Sequence, residues 1–360
     1  MKKILILTNH SYMLYRFRLE LLQELAKGNE VVISTPFVGH EDDFQTAGFR
    51  CIETEVDRRG LNPMKDLALL RRYKKLLKEE RPDFVVTYSI KPNIYGGMAC
   101  TALKIPFCAN VQGLGTAFQK AGIAQLVTLL YKFAFRKVRK VFFENETNAE
   151  EFRKRRILSR DRQVILHGAG INLTKYPMQP YPENSEVHFL YLGRIMKEKG
   201  IDELLAAVEQ LHSEGLPFHL DLVGFFEDSY KDQVALLEKQ GIATFHGFQS
   251  DPRPYYAQAD CIVLPSYHEG MSNVLLEASA TGRPVITSNI PGCKEAVDPA
   301  ASGLLVPVKD ATALTSAMRE FLSLSHSTRA QMGLAGRRKM ELEFPKEQIV
   351  AQSIRAMDLK

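Results

Sequence analysis

The sequence predicts an α/β protein of two doubly wound, Rossmann-like domains, and three observations carry that reading. Its 360 residues are too many for one typical core and comfortable for two. Continuous Val/Ile/Leu runs alternate with helical patterns along the whole chain, as in parallel sheets covered on both faces. The rhythm halts once, at a stretch with three prolines around 176–184, and then restarts.

The elements follow in order. Strand-like runs in the first half fall at 3–8, 30–35, 84–89, 107–111, 141–144 and 164–166. Helical patterns lie between them at 18–27, 64–80, 94–103 and 124–136. The second half gives strands at 187–193, 219–224, 243–247, 261–265, 284–288 and 304–306. The chain closes on helical patterns at 327–343 and 346–358, separated by Pro345. The expected domains are 1–176 and 177–345, with 346–360 packing back on the first. Two such domains facing each other would leave a cleft between the carboxyl ends of their strands, where open α/β sheets bind ligands.

Composition narrows the function. Apolar residues make up 45% and charged residues 25%, as in a soluble globular protein, and no run approaches the ~20 apolar residues that span a bilayer. After Lys2 and Lys3 the apolar stretch stops at Asn9-His10, which reads as a first buried strand and not a secretory signal. The five cysteines are scattered, without C-x-x-C spacing, and read as core residues of a reducing compartment, hence a cytoplasmic protein. The net charge of +5 is no nucleic-acid signature. Basic residues do follow the apolar run 123–131, at Lys132, Arg136, Lys137, Arg139 and Lys140, and again at 153–156. Either they form a solvated helix face or they meet an anionic membrane surface or a diphosphate-bearing acceptor.

The strongest chemical signal is the segment 265–278, PSYHEGMSNVLLEA. A buried strand ends in a loop that runs into a helix beginning near Ser272, with Ser272 or Asn273 as its cap. The free N–H groups and positive dipole end at Gly270, Met271, Ser272, Asn273 and Val274 suit an anion. Glu269 precedes the helix and Glu277 lies about one turn inside it, so both carboxylates can approach one pocket and accept from a vicinal diol. A second signal is 190–200, LYLGRIMKEKG, where Arg194 and Lys199 flank the mouth of a strand ending at Gly193. Two cations there can neutralise a diphosphate leaving group as its bond breaks. Further strands end at Gly224 and at Gly247-Phe248; Phe248 either packs on a base or belongs to the core.

The segment 269–277 resembles the E-x7-E signature of glycosyltransferase family 4, the retaining glycosyltransferases of GT-B fold. Arg194 to Gly200 is similar to that family's Gly-Arg…Lys-Gly motif. Thr281-Gly282-Arg283-Pro284-Val285 and 291–295 resemble its following segments, so the likeness covers essentially the whole chain. The resemblance implies a GT-B fold, with Arg194 and Lys199 on the diphosphate, Glu277 on the ribose and Glu269 on the sugar hydroxyls. It implies loops at Gly193, Gly224 and Phe248 near the nucleotide. It also implies proton transfer to the departing phosphate without a separate base.

The first half is less regular. The loop 9–18 lacks the paired glycines of many family members; His10 and Arg18 are candidates for the acceptor side, against a plain strand-end histidine and a structural arginine. Lys91 and Asn93 (Lys-x-Asn) and Gln112 with Gly113-Leu114-Gly115 look like the subgroup that builds bacterial capsule, O-antigen or glycan intermediates on polyprenyl diphosphate. Either Gln112 or Asn110 stands where many members carry a histidine. Asn145 reads as a helix cap, and Gly170 lies in a glycine-containing segment like the family's interdomain loop. The first βα turn lacks glycines, which disfavours a dinucleotide. No Asp-x-Asp and no His/Cys cluster points to a metal.

The expected activity is therefore transfer of a hexose or N-acetylhexosamine from a nucleoside diphosphate sugar, UDP-linked by expectation, to a lipid-linked or other glycan acceptor. It needs no cofactor or metal, binds no nucleic acid, and works peripherally on the cytoplasmic face of the inner membrane. A GT-B epimerase would need acid/base groups around the sugar, which this motif pair does not favour. A non-catalytic partner subunit would have lost Glu269, Arg194 or Lys199, and all three are present.

Overall fold

The computed structural model describes residues 1–57, 62–114, 118 and 121–359. Two compact units divide the chain: Met1–Ala169 with Glu347–Lys360, and Gly170–Lys346. The first contains strands β1 (Lys2–Leu7), β2 (Asn29–Thr35), β3 (Arg50–Glu53), β4 (Phe84–Tyr88), β5 (Phe107–Val111), β6 (Val141–Phe143) and β7 (Gln163–Ile165). Its helices are α1 (Ser11–Ala26), α2 (Glu41–Thr46), α3 (Pro63–Glu80), α4 (Gly97–Leu103), α5 (Ala121–Ala134) and α6 (Glu146–Lys154).

The second unit contains β8 (Val187–Leu192), β9 (Phe218–Val223), β10 (Ala243–Gly247), β11 (Cys261–Leu264), β12 (Val285–Ser288) and β13 (Gly303–Val306). Its helices are α7 (Ile201–Ser213), α8 (Lys231–Lys239), α9 (Arg253–Gln258), α10 (Asn273–Ala280), α11 (Ala311–Ser323) and α12 (His326–Glu343). Helix α13 (Lys346–Met357) closes the chain. Among the described residues the sheets run β3-β2-β1-β4-β5-β6-β7 and β10-β9-β8-β11-β12-β13. The strand pairings in both are parallel.

Burial explains why these runs became strands. Ile4, Leu5, Ile6 and Leu7 are fully buried on both faces of β1, as are Cys261, Ile262 and Val263 of β11, because helices cover each side of a parallel sheet. Helix α7 buries Leu204, Leu205, Val208 and Leu211, a helical stripe. Helix α3 starts where Asn62 Oδ1 accepts from Met64 and Lys65 N–H, each at 3.1 Å, with Pro63 in the first turn. The expected cap Asn145 is in place, accepting from the Asn148 N–H at 2.9 Å.

Three expectations need correction. Residues 11–17 are helix, not loop: α1 begins at Ser11. Strand β3 is short, and of its residues only Cys51 and Ile52 are partly buried, which is too little apolar signal to read. The proline-rich stretch 176–184, expected as a stiff linker at the domain boundary, lies within the second unit, which begins at Gly170. Ile171 N–H donates to Phe344 O at 2.8 Å and Lys346 N–H to Ile171 O at 3.0 Å, tying 170–176 into the second unit. Farther on, Arg283 holds the carbonyls of Gln179 and Pro180.

Candidate functional site

The second sheet reverses direction beside β8: the chain runs out to β9 and β10, then returns to β11 on the opposite side of β8. Such a reversal opens a crevice beyond the carboxyl ends of the two strands. The loops leaving β8 and β11 there are 193–200 and 265–272, the two segments that the sequence marks. Two glycines let them close on each other. Gly200 has φ +74°, and a Cβ there would lie 2.1 Å from the Pro265 carbonyl oxygen; at Gly292, φ +87°, a Cβ would lie 2.4 Å from that of Gly270. Tyr267 N–H donates to Glu198 O at 2.9 Å and Ser272 N–H to Gly292 O at 2.8 Å. The loops after β8, β11 and β12 are thereby locked into one rim.

On that rim Lys199 Nζ donates to Glu269 Oε1 at 2.5 Å. Their side chains keep 17% and 14% exposure, so the pair is accessible but largely desolvated. Arg194, in the same loop, is exposed and pairs through Nη1 with Glu227 Oε2 at 2.7 Å. Glu227 belongs to the loop after β9, which is zipped to 193–199 by Ile195 N–H on Phe225 O at 2.9 Å. Gly193 N–H donates to Val223 O and Gly224 N–H to Gly247 O, both at 2.9 Å, aligning the ends of β8, β9 and β10. Tyr267 Oη donates to both Glu203 oxygens at 2.8 Å, fixing the Glu269 loop on α7. Burial and then Lys309 hold the neighbouring His268 below the usual imidazole range.

Helix α10 differs from expectation in detail. Ser272 is its N-cap residue but makes no side-chain cap bond; its N–H serves the rim instead. Met271 is buried, and Gly270, Asn273 and Val274 are half-buried. Glu277 is 3% exposed and accepts from Tyr256 Oη at 3.0 Å through Oε2. Glu269 and Glu277 thus have different partners. Phe248 is not a core residue: it is 56% exposed, its ring 6.4 Å from that of Phe225, also exposed.

In the first unit the expected acceptor-side residues divide. Arg18 is buried and ion-paired with Glu144 at 2.7 Å, and Lys91 is buried with Asp66 at 2.9 Å. Those charges are already neutralised, and breaking either pair would strand a buried ion. Asn93 accepts from Thr87 Oγ1 at 2.6 Å and donates to Asn110 O at 2.8 Å, a structural bridge between β4 and β5. In this structure the side chains of all three serve partners within the first unit. His10 is the half-buried N-cap residue of α1, its ring 6.2 Å from Tyr12. Half-buried Gln112 reaches Met13 Sδ at 3.1 Å. Gly115, Thr116 and Ala117 lie outside the described residues. Gly170 has φ +70° and opens the second unit.

Sequence reasoning missed Tyr256, Glu203 and Glu227. Glu227-Asp228 after the strand at 219–224 was a legible acidic pair facing the loop of Arg194. Tyr256 carried no signal, because its partner lies on another element.

The architecture is that of a GT-B glycosyltransferase. HepE of Anabaena, solved with UDP and glucose, superposes with a TM-score of 0.80 at 16% identity, covering 99% of both chains. Sucrose-phosphate synthase of Thermosynechococcus elongatus gives 0.78 at 22%, over 99% of this chain and 98% of that one. The family model described as "Glycosyl transferase 4-like" matches residues 3–145, and "Glycosyl transferases group 1" matches 186–323. The chain belongs to glycosyltransferase family 4, in the subgroup resembling bacterial capsule and surface-polysaccharide glycosyltransferases. It is similar to the N,N'-diacetylbacillosaminyl-diphospho-undecaprenol alpha-1,3-N-acetylgalactosaminyltransferase of Campylobacter jejuni, 28% identical over 84% of each chain. It is also similar to the capsular polysaccharide biosynthesis glycosyltransferase CapM of Staphylococcus aureus, 26% identical over 82% of this chain and 83% of that one.

Proposed function

We propose that this enzyme is a retaining glycosyltransferase that moves a hexose or N-acetylhexosamine from a UDP-sugar to a lipid-linked glycan in bacterial surface-glycan assembly. The observation that carries the reading is the Lys199–Glu269 pair at the switch point of the second sheet, with Arg194 in the same loop. In this reading Lys199 and Arg194 bind the diphosphate and stabilise the charge that grows on it in the transition state. Glu269, released from Lys199, accepts from hydroxyls of the moving sugar. Glu277 accepts from the ribose, the start of α10 faces the phosphates, and Phe248 with Phe225 flanks the base. The departing phosphate takes the acceptor's proton on the face it leaves, which retains the anomeric configuration. No resident metal takes part. The two relatives' names support a surface-glycan acceptor.

The membrane side of the proposal rests on α5. Val127, Tyr131 and Ala134 are buried, but Leu126, Leu129 and Phe133 are 47%, 52% and 51% exposed. They form one outward apolar stripe at helical spacing, with Lys132, Arg136 and Lys137 exposed beside it. No described helix is long and apolar enough to cross a membrane. An apolar stripe edged by cations instead suits the headgroup layer of an anionic leaflet.

Purified protein incubated with a panel of labelled UDP-, GDP- and dTDP-sugars and a polyprenyl-diphosphate glycan tests the reading. Transfer from a UDP-sugar with an unchanged anomeric configuration, read by NMR, is expected. Inversion, or the absence of transfer and of donor hydrolysis across the panel, would overturn it.

A further inference from the structure

We propose that Tyr256 is a positioning residue for donor binding: its hydroxyl fixes the Glu277 carboxylate in the orientation that receives the ribose diol, and Arg283 anchors Tyr256. The inference rests on the proposed ribose role of Glu277.

Tyr256 lies on α9 and Glu277 on α10, helices that follow different strands, so nothing local brings them together. The phenol donates to Glu277 Oε2 at 3.0 Å, and Tyr256 and Glu277 are 0% and 3% exposed. A carboxylate so buried needs donors, and it has lone pairs enough to serve one phenol and further hydroxyls together. A glutamate without such an anchor has several rotamers to give up when ligand arrives, and that ordering weakens binding.

The anchor beneath Tyr256 is unusual. Arg283 is fully buried; its guanidinium lies over the Tyr181 ring, 5.6 Å from the centroid, and its N–H groups donate to carbonyl oxygens. Nε donates to Tyr256 O at 2.9 Å, and Nη2 to Ala257 O at 2.8 Å and Pro180 O at 2.7 Å. A fork of donors in fixed geometry pins the last turn of α9. The Tyr176 ring meets Tyr256 edge-on, centroids 6.4 Å apart. The phenol is therefore held from its backbone to its ring, and the only polar atom it presents is aimed at Glu277.

The test compares UDP with 2′,3′-dideoxy-UDP by calorimetry on the wild type, Tyr256→Phe and Glu277→Gln. The wild type should prefer UDP by about 100-fold, the worth of two hydroxyls on a charged acceptor. Tyr256→Phe should weaken UDP about tenfold and dideoxy-UDP far less, so the preference collapses toward that of Glu277→Gln. This coupling is a signature that a merely structural role would not produce. If Glu277→Gln loses the preference while Tyr256→Phe keeps it, Tyr256 does not position the carboxylate, and the ribose reading survives alone. If the wild type binds both nucleotides equally, the ribose reading and the inference fall together. Should the Phe variant lose its cooperative melt, Arg283→Lys carries the same comparison, since it keeps both the phenol and the Glu277 carboxylate and removes the fork of donors that holds the Tyr256 and Ala257 carbonyls.

Discussion

Lys199 and Glu269 neutralise each other across 2.5 Å, in a rim that leaves little of either side chain exposed to solvent. In the proposed reaction a diphosphate arriving there offers Lys199 a second anion, and the lysine then serves the leaving group while Glu269 turns to the sugar. On that proposal its role is concentrated in the transition state, because charge grows on the phosphate only as the bond to the sugar breaks. Lys199→Ala and Arg194→Ala are each expected to lower kcat by about 100-fold or more, by steady-state kinetics on the competent donor. Near-normal turnover in both would remove the phosphate assignment. Glu269→Ala should chiefly impair transfer and leave UDP affinity close to wild type, whereas Glu277→Ala should weaken UDP binding in calorimetry. An unchanged UDP affinity in the Glu277 variant would break that division of labour.

Between elements, backbone geometry decides how tightly the rim closes. Gly200→Ala would drive a Cβ to 2.1 Å from Pro265 O at φ +74°. A side chain in that conformation is expected to cost at least about 1–3 kcal/mol, seen as a fall in Tm of several degrees, and to lower kcat by loosening Lys199 against Glu269. A variant as stable and active as wild type would show that the two loops are not held by this contact. Across β8, β9 and β10 a different coupling appears. Asp221 accepts from His188 Nδ1 at 3.0 Å and His246 Nε2 at 2.7 Å. The bond to Asp221 raises the His188 pKa despite burial. Burial pushes Asp221 up, but the two histidine bonds outweigh it and hold its carboxyl below the usual range. The His188 contribution to stability is complete below about pH 6.5 and fades as pH rises through its raised folded value. The Asp221 contribution is present above about pH 3.9 and fades as pH falls through its depressed value. Asp221→Asn should therefore destabilise most near about pH 5–6 and progressively less toward pH 9 in urea unfolding. A difference that stays flat over that range would falsify the titrating link.

At the scale of the whole molecule, the exposed stripe of α5 predicts salt-sensitive attachment to anionic vesicles. Each cation near such a surface adds about 1 kcal/mol. Lys132, Arg136 and Lys137 are the ones to neutralise, because Arg139 and Lys140 already reach the carbonyls of Asp358 and Asp161. Replacing those three by Gln, or Leu126, Leu129 and Phe133 by Ser, should each reduce co-flotation with phosphatidylglycerol vesicles while the melting curve stays cooperative. Failure of the wild type to float at low salt would discard the membrane part and leave the donor site untouched. Activity that persists in EDTA is the matching expectation for a metal-free mechanism; its loss, with recovery on adding magnesium or manganese, would reverse that view.

What the sequence determined by itself was everything encoded in contiguous residues. Alternating apolar runs define parallel strands because both faces of such strands are buried. Strand–loop–helix segments with glycines and charges mark the carboxyl edge, since sheet topology always sends those loops there. The motifs at 193–200 and 265–278 were therefore legible, as was the cap Asn145. Partnership between distant elements was left to the tertiary structure. Arg18 reads in sequence as an acceptor-side cation and Lys91 as part of a Lys-x-Asn motif, yet Glu144 and Asp66 pair with them from other elements. Phe248 looked equally like a core aromatic or a platform for the base, and only the path of its loop exposed it. The stretch 176–184 reads as a linker until Arg283, about a hundred residues away, is seen holding its carbonyls. Tyr256 meets Glu277 for the same reason. A side chain's chemistry is local, but its neutralisation and burial depend on which surfaces the fold brings against it, and no short window of sequence contains that information.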